Sequence, residues 1–287
     1  MKKILLLTIL SSLLIACGAQ VEVKKVYWGD TTVLREQTRY VDKVANGPHS
    51  SYYPSGKLKV SSTYLADQLD GSYKAYFENG SLYKDETYIK GALDAESTTY
   101  CASGEIKEKH HFSLGKRNGL SETYYKCSGQ IRESASYTNG QIQNKKTYYE
   151  NGKPKKQLRY SGGKLQGEAI SYYRNGNTKS ELHYQNGNFQ GTNIQYYWDG
   201  SLKQKSDYQN GTLDGEVRDY HEGASIRMST TYTNGRKNGK RKKYSESGKL
   251  WLIETYKNDK LHGPTERYGK SGKVVKVIQY RDGEKLP

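Results

Sequence analysis

This 287-residue chain is poor in the residues that build thick cores and covalent frameworks: it has 3 Phe, 2 Met, 3 Cys and 5 Pro. Three cysteines exclude a disulfide-dense scaffold. Five prolines exclude a collagen-like or proline-rich linker composition. Only 33% of the residues are hydrophobic, and the mean hydropathy of −0.97 is too low for a large two-layer core. Against these deficits stand 28 Tyr and 30 Gly. A tyrosine ring can pack while its hydroxyl stays wet, and so many aromatics argue against disorder. Recurrent glycine points to many tight turns. Burial is therefore expected to be thin and the surface large.

One apolar run exists, from Ile4 to Ile15, preceded by Lys2 and Lys3 and followed by Ala16 and Cys17. A basic start, a short apolar stretch and a small residue before the cut make an export signal, too short for a lasting membrane span. Leu14-Ile15-Ala16-Cys17 resembles a bacterial lipobox. The resemblance implies cleavage before Cys17 and lipidation of that cysteine; an ordinary secretory signal is the alternative. Gly18 in place of an aspartate favours the outer membrane where the envelope has two membranes. The expected organisation is a signal peptide over 1–16, a lipidated terminus and tether over 17–22, a degenerate capping repeat over 23–46 and ten repeats over 47–287.

Those repeats rest on a 24-residue period. Gly47, Gly71, Ala95, Gly119, Gln143, Gly167, Gly191, Gly215, Gly239 and Gly263 fall on one grid. Five residues after each comes a tyrosine, including Tyr76, Tyr148, Tyr172, Tyr196 and Tyr220. Twelve residues further on comes a second aromatic column, including Tyr184, Tyr208 and Tyr232, with a one-residue slip at Tyr137 from an insertion. Such self-similarity decides the architecture before any site is sought.

Stretches such as SYKAYF and SLYKDETY are short, rich in aromatic and β-branched residues, and separated by ENG, RNG, WDG or ESG. Each repeat reads as a β-hairpin, and sustained helical periodicity is missing. The expected fold is all-β: an elongated array of about eleven hairpin repeats forming a twisted antiparallel meander, with a β-solenoid as the alternative. A three-residue hairpin loop is expected to put both tyrosine columns and the apolar column of Leu58, Leu82, Ile106, Leu202, Ile226, Leu250 and Val274 on one face.

The string YYWDGSLKQKSDYQNGTLDG, and its counterparts along nearly all of the exported chain, resembles the MORN-repeat variants of bacteria, including the YwqK-type antitoxin proteins. The resemblance implies a non-enzymatic meander of hairpins that binds proteins or membrane surfaces.

Catalytic motifs are missing by spacing. GPTERYGKS at 263–271 has five residues between its first two glycines where a phosphate loop needs four. The six histidines, His49, His110, His111, His183, His221 and His262, occupy different places in their repeats, and no metal, cofactor or catalytic residue is expected. Adjacent His110 and His111 would point to opposite faces of a strand. Cys101 and Cys127 form an even pair once Cys17 is lipidated. Regular spacing holds them too far apart for a bridge, but the insertion beside Cys127 offers a bend, so a disulfide and two free thiols both stand.

The net charge is +16, and 46 Lys+Arg less Lys2 and Lys3, set against 30 Asp+Glu, leaves +14 for the exported chain. Arg236, Lys237, Lys240, Arg241, Lys242 and Lys243 crowd one junction, and Lys145, Lys146, Lys153, Lys155 and Lys156 another. A solvated edge guarded by lysines is one reading; contact with acidic headgroups, anionic envelope polymers or an acidic protein is the other. Nucleic acid ranks low for an exported chain. The sequence leads to a lipid-anchored envelope protein presenting a repeat surface to a membrane, an anionic surface or a protein, with a toxin-neutralising immunity protein as the alternative. It carries no signal for oligomeric state.

Overall fold

The computed structural model describes residues 18–287; the expected leader and Cys17 lie outside the described residues. Among the described residues there are 25 strands and no helix. The described residues form two compact units, 18–142 and 143–287, with the boundary inside strand Gln141–Tyr148. In each unit the strands pair antiparallel with their neighbours in the chain, as an open meander that does not close into a barrel. Antiparallel neighbours exclude the β-solenoid alternative, whose coils stack in parallel.

Two turn types alternate. Strand Val44–Tyr52 turns into Leu58–Leu65 through a three-residue loop, closed by Tyr53 N–H donating to Lys57 O and Gly56 N–H donating to Tyr53 O, each at 2.8 Å. The next turn is a two-residue type. Asn210 (φ 51) and Gly211 (φ 84) join Leu202–Gln209 to Thr212–Tyr220, and two successive positive φ values are what the right-handed twist of a tight hairpin requires. The repeat glycine answers another constraint. Gly215 has φ +122 where the ladder is irregular, and a Cβ there would lie 2.9 Å from Asp207 Cβ.

The loop has the expected length, but the two tyrosine columns do not share a face. Tyr52 pairs with Leu58 while Ser51 pairs with Val60, so Lys59 is an extra residue on the second strand; Lys203 is its counterpart where Tyr196 pairs with Leu202 and Gln195 with Gln204. One inserted residue reverses side-chain alternation beyond it. Tyr76, Tyr172, Tyr196 and Tyr220 therefore sit with the apolar column on one face. Tyr184, Tyr208 and Tyr232 stand on the other, opposite the repeat glycines Gly167, Gly191 and Gly215. Tyr148, paired with Pro154, belongs to the first group.

The residues best covered are small or polar. On the second face a central column runs across the strands, pairing Ser97 with His110 in the first unit and Asn193 with Ser206 and Val217 with Thr230 in the second. Ser62, Ser121, Ala135, Ala169, Asn193, Ser206 and Thr230 are all buried, and among the described residues no large side chain is fully so. A sheet face without a covering layer can hide only what its neighbours' rings and stems lie across, which selects short side chains in the middle and tyrosines around them.

Successive repeats are joined by the aromatic that follows the first tyrosine. Tyr53 Oη donates to Tyr76 O at 2.7 Å in the first unit. In the second, Tyr149, Tyr173 and Tyr197 donate to Tyr172 O, Tyr196 O and Tyr220 O, each at 2.8 Å. In the capping repeat the first strand is shifted by one residue from the 24-residue grid, with Tyr27 paired to Leu34, while Tyr40 keeps its place and pairs with Ala45 as Tyr64 does with Leu69. That first strand begins at Val21, inside the expected tether, and Trp28 Nε1 takes the joining role by donating to Tyr52 O at 3.3 Å. Cys101 occupies the same place as these aromatics and is bonded to Cys127 in the next turn, with Cα atoms 5.9 Å apart. That turn carries the insertion: Tyr125 N–H donates to Gln130 O across four residues, and the longer loop brings Cys127 within reach. A covalent bond thus stands where other repeats use a hydroxyl.

Tyr197→Phe is expected to lower stability by about 1 kcal/mol, the usual net worth of one hydrogen bond, with faster amide exchange around Tyr220. Reduction of Cys101–Cys127, which span 26 residues, is expected to cost about 3 kcal/mol. Urea unfolding of the variant, and of wild type with and without reductant, checks both.

Candidate functional site

The bulge that separates the tyrosine columns also builds a row of cations. Its extra residue is Lys59 in the first unit and Lys155, Lys179 and Lys203 in three successive repeats of the second. Each ammonium lies over the ring of the joining tyrosine: Lys59 over Tyr53, Lys155 over Tyr149 and Lys203 over Tyr197 at 5.6 Å, and Lys179 over Tyr173 at 5.7 Å. All four lysines are exposed. The ring fixes the stem by a cation–π contact and leaves the rest of the charge to solvent. Repeats two strands apart place the charges about 10 Å from one another. Arg227 continues the row, within 4.0 Å of Asp219.

Sequence reasoning named Lys155 and missed the row, because it sought clusters along the chain rather than one repeat position across it. The signal was a basic residue one place after the apolar column, at Lys59, Lys107, Lys155, Lys179, Lys203 and Arg227.

The two basic clusters are divided by strand alternation. Strand Arg236–Tyr244 sends Lys240 and Lys242 to one face and Arg241 and Lys243 to the other. Arg241 Nε and Nη2 both reach Glu254 Oε2 at 2.6 Å, and Lys243 lies 3.7 Å from the same oxygen. Lys237 and Arg241 also lie over the Tyr256 ring. This partly neutralises that side and leaves Arg236 and Lys240 exposed. In the other cluster Lys145 and Lys146 face opposite ways, Lys153 Nζ donates to Asn175 O, and Lys155 and Lys156 are exposed.

The central column brings Glu86, Ser97 and His110 together. Glu86 is 4% exposed, and its carboxylate accepts from Ser97 Oγ and Tyr88 Oη at 2.9 Å each and from Lys84 Nζ at 3.3 Å. Ser97 gives its proton to Glu86 rather than to His110, and both Ser97 and His110 are buried, so this is not nucleophile geometry. Burial, then the nearby Arg117, holds His110 below the ordinary imidazole range, against Glu108 at 3.5 Å. His111 instead meets Glu96 at 3.4 Å. Among the described residues no group of three or more His, Cys, Asp or Glu could hold a metal ion.

On these hairpins five stretches, residues 45–66, 69–90, 144–161, 165–186 and 237–258, match the MORN repeat variant family. The chain is thus a β-hairpin repeat protein, five stretches of which are similar to MORN repeat variants. Of the solved structures, a crystal structure of TcdB2-TccC3 is similar over 92% of this chain and 18% of its own, at 10% identity and a TM-score of 0.21. One of TcdB2-TccC3-Cdc42 is similar over 92% and 15%, at 13% identity and a TM-score of 0.20. The chain therefore spans under a fifth of either. No curated protein matches it.

The tyrosines carry the alkaline response. Partial burial and a 2.8 Å hydrogen bond to Glu122 push Tyr124 up to about 12, and Tyr88, partly buried and bonded to Glu86, is also raised. A folded state that keeps phenols neutral is at full advantage below the unfolded value near 10 and loses it as pH rises through the folded value. Stability is expected to fall between pH 10 and 12, and the fall to be smaller in Tyr124→Phe; denaturation midpoints measured across that range check it.

Proposed function

We propose that this chain is a non-enzymatic protein of the bacterial envelope, anchored through a lipid on Cys17, whose second unit binds an anionic surface. The observation that carries this reading is the row of exposed lysines Lys155, Lys179 and Lys203, each held over a tyrosine ring.

Several features support it. Lysines scattered merely for solubility have no reason to recur at one bulge position with one ring contact. Ring-held stems lose less rotamer freedom on binding than free ones, so repeated charges add up along a polyanionic face. The exported chain's 44 Lys+Arg (46 less Lys2 and Lys3) against 30 Asp+Glu, a net +14, draw such a surface in, and the contacts are expected to set rate and orientation more than affinity. Arg236 and Lys240 extend the same field. The lipobox-like Leu14-Ile15-Ala16-Cys17 supports delivery to a membrane, the outer one where there are two.

Co-sedimentation with phosphatidylglycerol vesicles checks the reading. Chain lacking the lipid is expected to bind at low salt, to be released at several hundred millimolar NaCl, and to bind at least tenfold more weakly when Lys155, Lys179 and Lys203 are changed to Glu. Equal binding by that variant, or by neutral vesicles, would overturn the surface reading. Mass spectrometry of the exported protein with no acyl group on Cys17 would overturn the anchor.

A further inference from the structure

The tight turns of the first unit differ from those of the second in what they expose. They follow the second strand of each repeat, so within a unit they all lie on one edge of the sheet and the three-residue loops lie on the other. The residue before the turn is Val41, Leu65 and Ile89 in the first three repeats, and in the fourth a leucine enters the turn itself as Leu114. In the second unit the same strand-end place holds Ser161, Gln185, Gln209, Thr233, Lys257 and Arg281. Leu65, Ile89 and Leu114 are 50%, 41% and 65% exposed. Repeats two strands apart set them about 10 Å from one another. Leu114 has φ 47, a left-handed conformation that costs a leucine energy, at the place where asparagine recurs as Asn139, Asn186, Asn210, Asn234 and Asn258. A strained and exposed leucine gains little from folding, so the row points to a contact outside the chain.

The way the chain enters the sheet indicates what makes that contact. Gln20 N–H donates to Asp42 Oδ1 and Asp42 N–H donates to Gln20 O, each at 2.8 Å, so the chain arrives at the first tight turn. Cys17 precedes Gln20 by three residues and thus lies within about 11 Å of it. A lipid on Cys17 therefore enters a bilayer at the edge that carries the apolar row. The carboxylates nearby are engaged by backbone: Asp67 Oδ1 accepts from Ala45 N–H, Asp70 Oδ2 from Lys90 N–H and Asp94 Oδ1 from Leu114 N–H. Lys43, Lys90 and Lys116 are exposed beside the turns, where long stems carry ammonium groups up to the level of lipid headgroups. We propose that this edge of the first unit seats on the membrane that holds the anchor, with Leu65, Ile89 and Leu114 entering the boundary between headgroups and acyl chains. The proposal rests on the lipid anchor and is separate from the lysine row of the second unit. Alone, the row is too small to hold the chain on a neutral bilayer; the lipid tether makes its insertion intramolecular and raises its effective concentration there.

Acylated protein taken from membranes into phosphatidylcholine vesicles tests it, since the neutral lipid leaves the lysine row aside. A fluorophore on Ile89→Cys is expected to be quenched at least twofold by phosphatidylcholine carrying a nitroxide in its acyl chain. One on Glu78→Cys, in a three-residue loop at the opposite edge, is expected to stay unquenched. Adding Leu65→Gln and Leu114→Gln should abolish the quenching at position 89 without loss of stability, because both side chains are exposed. Quenching at neither position, equal quenching at both, or full quenching kept in the Gln variant would overturn the seating alone. So would a label at position 89 already shielded in lipid-free chain without vesicles, which would mean that a second copy covers the row. Mass spectrometry that finds no acyl group on Cys17 would overturn the anchor and the seating together.

Discussion

Each regular hairpin carries one residue more on its second strand than the pairing needs, and that surplus governs what both faces can do. At Lys59 and Lys203 the extra residue shifts the alternation, so the first tyrosine column and the apolar column share one side and the second tyrosine column takes the other. Without it one face would carry both sets of rings and the other almost none. With it, each face has its own aromatic line. The same residue leaves the regular ladder and can lie over the joining tyrosine, which makes a structural correction the carrier of a charge.

A sheet with no covering layer must find stability by other means. Side chains in the central column are short, because only short ones can be sheltered by neighbours in the same face, and even the buried Glu86 is tolerated because three donors satisfy its carboxylate. The joining tyrosine hydroxyls add one bond from each such repeat to the next. Stability in such arrays is a sum of neighbour terms, so a repeat that loses its link needs a replacement. Cys101 and Cys127 supply one covalently, and the insertion beside Cys127, which breaks the period, is what brings the two sulfurs together.

The same logic sets what each joining position exposes. Where the joining residue is tyrosine, its ring supports an exposed lysine and the site is basic. Where it is His221, the ring is lost, a cleft remains and carboxylates line it. A periodic scaffold thus acquires a local cleft where one of its recurring side chains is replaced, without a new element of secondary structure.

The 24-residue period, the hairpin in each repeat and the all-β class were legible in the sequence, because tyrosine and glycine recur at fixed spacing and spacing is a property of the chain alone. The three-residue loop was expected on the premise that both tyrosine columns share a face; the length holds and the premise does not, because the bulge at Lys59 and Lys203 separates the columns. Residues 215, 210 and 211 show why the glycines and the Asn-Gly turn recur: positive φ and close approach are local demands that local residues answer. Which face each tyrosine takes was decided only in the folded sheet, since Lys59 reads as an ordinary strand residue until its missing partner is seen. The division of Lys240 to Lys243 between two faces, the ion pair of Arg241 with Glu254, the meeting of Glu86, Ser97 and His110, and the cleft at His221 all depend on cross-strand register. Register joins residues of different strands, and a pattern read along one strand does not contain it.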